Sequence, residues 1–64
     1  METRNIDTIE FEDHGVGGRG VLIVRQCGEQ VALCVSLEDG GDVEVMLNKK
    51  VVERLINSLG GAVK

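Results

Sequence analysis

The 64-residue chain has no tryptophan, no tyrosine and no proline, and only one phenylalanine, one histidine and two cysteines. Each scarcity removes a class of function. With Phe11 as its lone aromatic, the chain lacks the stacking platforms on which single-stranded nucleic acid is held. Its seven Lys and Arg are outnumbered by eleven Asp and Glu, for a net charge of −4. Affinity for phosphate backbones comes largely from Lys and Arg, so no nucleic-acid partner is expected. No apolar run approaches the roughly 18 residues of a membrane span. The opening METRNIDTIE has no apolar segment of the kind a secretion signal carries. The expectation is a cytoplasmic protein with reduced thiols and no membrane partner.

Cys27, Cys34 and the single His14 form no recognisable zinc pattern, so neither metal nor cofactor is expected. Catalysis is not expected either. Cys27, Cys34 and Ser36 fall inside strand-like runs, and no nucleophile–base pairing is visible.

What is present is a short, regular pattern. The length allows one domain. A domain this small buries only about 60% of its unfolded surface, and such chains gain stability from disulfides, a metal or a second subunit. Residues 1–4 read as a frayed terminus, 5–48 as a β-meander, 49–60 as a helix and 61–64 as a tail. Ile6, Ile9 and Phe11 mark a first strand among polar residues. The runs VLIVRQC, QVALCVSL and VEVMLN follow, separated by short glycine turns.

The turns set the register. In Cys27-Gly28-Glu29-Gln30, glycine holds the first central position of a two-residue loop, which is type II′ chemistry. Cys27 then faces Gln30, Val24 faces Leu33 and Leu22 faces Val35. For the next turn, a two-residue Gly40-Gly41 loop would set Leu37 opposite Glu44. A three-residue Asp39-Gly40-Gly41 loop with a glycine bulge sets Leu37 opposite Val43, Val35 opposite Val45 and Leu33 opposite Leu47. The second keeps the apolar residues together and is the one expected.

Two faces result. One carries Leu22, Val24, Val31, Leu33, Val35, Leu37, Val43, Val45 and Leu47, and reads as a core. The other carries Val21, Ile23, Arg25, Cys27, Ala32, Cys34, Ser36, Glu44 and Met46. In the C-terminal segment, Asn48 is a good N-cap, and Leu47 and Val52 stand at hydrophobic-staple positions. Val51, Val52, Leu55, Ile56 and Leu59 form a helical stripe, and Gly60 or Gly61 ends the helix. The stripe is expected to cover the core face. The fold class is therefore α+β: a four-stranded antiparallel meander with one C-terminal helix packed on one face, ββββα.

A single helix leaves the second face open, and it is half apolar. Val21, Ile23, Arg25, Ala32, Cys34 and Met46 are accordingly expected to form a homo-oligomer interface, with Arg25 and Glu44 able to pair across a two-fold axis. A monomer with an open sheet, or a face reserved for a different protein, are the alternatives. The register also puts Cys27 and Cys34 about 13 Å apart, beyond the roughly 7 Å a disulfide spans.

The segment HGVGGRG contains GVGGRG, which satisfies the letter of the dinucleotide fingerprint GxGxxG. A strand follows it rather than a helix, and the chain has no room for a βαβ unit. Nor does it have the GK[ST] ending of a Walker loop. Two readings remain. It is a strand connection, or it is a ligand or partner loop in which His14, Gly15, Gly17, Gly18 and Arg19 meet an anion through backbone amides and a guanidinium. Glu10, Glu12 and Asp13 read as a solvated acidic edge.

The ββββα outline, with SLEDGGDVEVML followed by a short helix over residues 20–60, resembles the small acidic accessory proteins of bacteria and phages. The residues point to a non-enzymatic homo-oligomer that binds another protein, and the resemblance implies action as an inhibitor or regulator of a host protein. The alternative is an oligomeric protein that sequesters a small anionic ligand such as a nucleotide through the glycine loop and Arg19.

Overall fold

The computed structural model describes residues 2–64. Four strands, β1 (Thr3–Glu12), β2 (Arg19–Cys27), β3 (Gln30–Leu37) and β4 (Gly41–Leu47), precede one helix, α1 (Lys49–Ala62). The strands pair antiparallel in the order β1-β2-β3-β4. This is the ββββα meander that the alternation of apolar residues predicts.

The β2–β3 register follows the turn chemistry. Gly28 has φ +63 and, among the described residues, no non-glycine residue has positive φ, as a type II′ turn requires. Cys27 faces Gln30, Val24 faces Leu33 and Ile23 faces Cys34. Both cysteines are free.

The β3–β4 register differs from expectation by two residues. Leu37 faces Gly41, Val35 faces Val43, Leu33 faces Val45 and Val31 faces Leu47. The reversal is made by Glu38, Asp39 and Gly40, closed by the Gly40 amide donating to the Leu37 carbonyl at 3.4 Å. Gly41, at φ +82, supplies the left-handed residue beyond the turn. A two-residue shift preserves parity, so every side chain keeps the face assigned to it.

β1 is longer than Ile6–Phe11 and takes in Thr3 and Arg4 of the segment expected to fray, of which Met1 lies outside the described residues. Its register slips between Asn5 and Asp7. The slip has a clear reason in the sequence. Ile6 and Ile9 are an odd number of residues apart, so strict alternation would put them on opposite faces. One extra residue in the ladder lets Ile6 line a hollow with Val24, Val31 and Val52, on the side to which Ile9 and Phe11 also belong.

Phe11 pairs with Gly20 and lays its ring over it, and Gly20 is buried beneath. The glycine permits that approach: a side chain there would collide with the ring.

The helix begins as expected. Asn48 is extended (φ −81, ψ 172) and its side chain accepts from the Val51 amide at 2.9 Å. It does not stop at Gly60 or Gly61; both stay helical, and the Val63 amide donates to the Leu59 carbonyl to close the last turn. The helix rests on the apolar face through its first turn, where Val52 is half-buried and neighbours Ile6, Val24 and Val31. Beyond that turn its stripe is uncovered, and no residue of the helix is buried.

The result is a slab measuring 34 × 31 × 15 Å. Its radius of gyration is 12.9 Å, against about 10.7 Å for a compact domain of this length. Among the described residues, Ala32 is the only buried hydrophobic one, at 2% exposed.

Candidate functional site: the glycine loop and the two sheet faces

The loop between β1 and β2 is organised by Asp13. Its backbone amide donates to the Gly18 carbonyl at 2.9 Å, and its own carbonyl accepts from the Gly17 amide at 3.0 Å. Its carboxylate Oδ1 accepts from the amides of Gly15 (2.8 Å) and Val16 (3.3 Å). Gly17 (φ +97) and Gly18 (φ +90) then turn the chain through left-handed conformations. This is an Asx turn, in which a side-chain oxygen gathers the amides that follow it.

That geometry bears directly on anion binding. A nest works because its N–H groups point at an empty concavity. Here Asp13 already holds the Gly15 and Val16 amides, with a negative charge at the position a phosphate would occupy. Arg19 is engaged as well. Its Nη2 lies 3.5 Å from Glu10 Oε1, and its backbone amide donates to Glu38 Oε1 at 3.3 Å. Glu38 and Asp39 of the β3–β4 turn reach towards Gly18. His14 is exposed. The loop residues singled out from the sequence are therefore gathered in one place, but under an acidic field that disfavours an anion.

Asp13, which composition alone places on a solvated edge, is half-buried and structural. An Asp two residues before a glycine is an Asx-turn signal, and the sequence carries it in Asp13-His14-Gly15. Glu38 carried no local signal, because its contact with Arg19 is set by strand pairing across 19 residues.

Among the described residues, no group of three or more His, Cys, Asp or Glu is placed to hold a metal ion. Nor, among the described residues, is any helix long and apolar enough to cross a membrane. Ser36, a strand residue, donates to Asp42 Oδ1 across the β3–β4 ladder at 2.6 Å.

The sheet's two faces differ more than the sequence suggests. On the face expected to form an interface, Ala32 lies between Arg25 and Met46 and is buried within the chain. Val21, Ile23, Arg25 and Cys34 are half-buried, and only Met46, at 50%, is a largely exposed hydrophobe. Arg25 Nη1 meets Glu44 Oε2 of its own chain at 3.1 Å, so this ion pair forms without a partner. The same face carries Glu10, Arg19 and Asp42.

The opposite face is the barer one. Ile6, Ile9, Val43 and Val45 are all exposed there, with Val43 the most so at 58%. The helix adds Val51, Leu55, Ile56 and Leu59, also exposed. An apolar sheet face and an apolar helix stripe thus stand uncovered in one small chain. In comparisons with known proteins, the chain matches no family model, no curated protein and no solved structure.

Proposed function

We propose that the protein is a non-catalytic protein-interaction module that works as a homo-oligomer and acts by occupying another protein's surface. The observation that carries this reading is the surface itself. The chain exposes 5275 Å², whereas a folded monomer of 6.9 kDa exposes about 4,000 Å². Ile6, Ile9, Val43 and Val45 of the sheet and Val51, Leu55, Ile56 and Leu59 of the helix stripe are among the large hydrophobic residues left exposed. Monomers rarely leave contiguous apolar surface of that extent to water. Self-association removes it, and leaves the charged face with Glu10, Arg19, Arg25, Asp42 and Glu44 available to a different protein.

Native mass spectrometry of gently purified protein tests the reading. The expected species is a multiple of the 6.9 kDa chain with no added mass. A monomer at micromolar concentration overturns self-association. A few hundred extra daltons per chain would instead support sequestration of a small ligand.

A further inference from the structure

We propose that two copies close into a dimer by exchanging helices, each α1 lying across the apolar sheet face of the other copy. This rests on the self-association reading above and names the surface and the partner.

The helix stripe and the sheet face are complementary halves of one helix-on-sheet layer pair, the arrangement by which such elements bury their apolar sides. Within one chain they do not meet beyond Val52. The cause is the joint. Leu47 is the last strand residue and Lys49 the first helical one, so Asn48 alone connects them. Connections between strands and helices usually take about 2–6 residues. Asn48 is moreover held by its cap bond to the Val51 amide. A hinge that short, which cannot fold its element back, favours exchange between protomers.

The dimensions agree. Fourteen helical residues span about 21 Å, and four strands span about 14 Å between outer axes. One helix can therefore cross the whole sheet. The area agrees too. Each chain exposes about 1,300 Å² more than a compact monomer of its mass, an area comparable with what one partner contributes to a stable homodimer interface.

The other modes of pairing are poorer. The second face would bury Arg25, Glu44, Glu10 and Asp42 against copies of themselves, at a desolvation cost. Edge-to-edge pairing meets the β1 irregularity and the carboxylates of both edge strands.

The test is disulfide trapping in a Cys27→Ser, Cys34→Ala background. Chains carrying Val43→Cys are mixed with tagged chains carrying Ile56→Cys, unfolded together, refolded and oxidised. Both positions are exposed, so neither substitution removes a packed side chain. Helix exchange predicts that the mixed Val43–Ile56 pairing dominates the crosslinked product. Predominant Val43–Val43 or Ile56–Ile56 pairing overturns it.

A second pair of variants keeps the two readings separable. Val45→Lys should weaken dimerisation at least tenfold by native mass spectrometry, while Met46→Lys, on the charged face, should leave the dimer intact. If Met46→Lys dissociates it and Val45→Lys does not, the exchange model falls and self-association stands. A monomeric wild type removes both.

Discussion

Replacing Gly20 with alanine probes the close packing of Phe11 against β2. A Cβ at Gly20 would lie 2.4 Å from Phe11 Cζ, 2.8 Å from Cε2 and 2.9 Å from Cε1. Carbon atoms sit comfortably at about 3.5–4.0 Å, so the ring must lift by more than ~1 Å or swing into solvent. Forcing extra volume into a packed contact costs about 1–3 kcal/mol. Against that, Gly20 lies in a strand with no positive φ, and alanine there recovers about 0.5–1 kcal/mol of backbone entropy. The net expectation is a loss of about 1–2 kcal/mol, or a drop in Tm of roughly 5–15 °C for a domain of this size. The assay is thermal denaturation followed by far-UV circular dichroism, at one fixed protein concentration because association makes Tm concentration-dependent. The decisive comparison is a double-mutant cycle with Phe11→Val. Without the ring, Gly20→Ala should be neutral or stabilising. A neutral or stabilising Gly20→Ala in the wild-type background would refute the packing argument.

Two further outcomes follow from the loop and the joint. Asp13→Ala removes the acceptor for the Gly15 and Val16 amides and should cost about 1 kcal/mol in urea denaturation, with faster hydrogen exchange confined to those amides; unchanged exchange would show that the carboxylate does not organise the loop. Inserting Gly-Ser-Gly-Ser between Leu47 and Asn48 should let the helix fold back on its own sheet, so sedimentation velocity should find monomers where the parent chain forms dimers. Persisting dimers would show that hinge length does not decide the exchange.

The parts of the fold that were legible from the sequence are those where a local rule decides. Period-two alternation assigned the faces of the last three strands, because a one-residue error would turn Leu33 and Val35 outward. The Gly28 turn fixed its register through a single required positive φ. Where two local solutions had the same parity, the choice failed. The expected Asp39-Gly40-Gly41 loop and the observed Glu38-Asp39-Gly40 loop both keep Val43 and Val45 on the apolar face, so alternation alone does not separate them. The β1 slip was equally hidden, although the odd spacing of Ile6 and Ile9 is its trace. The helix ran past Gly60 and Gly61 because a glycine stops a helix only when the next turn gains nothing by continuing, and here the Val63 amide still finds the Leu59 carbonyl.

The candidate site shows why composition is a weaker guide than geometry. Four glycines, a histidine and an arginine in HGVGGRG are the ingredients of an anion cradle. What they do depends on which acceptor the amides meet, and Asp13 lies closer along the chain than any ligand. The apolar surfaces pose the converse problem. Periodicity shows that the stripe of α1 and the face of the sheet each need covering, and that they suit one another. It carries no information on whether the covering comes from the same chain. In the helix-exchange proposal that is decided by one residue of linker, a feature that contributes nothing to hydropathy or periodicity. In a chain this small the proposed function turns on that distinction. A helix folded on its own sheet would make a monomer with one greasy face, whereas a helix given to a neighbour makes a closed dimer with two charged faces turned outward.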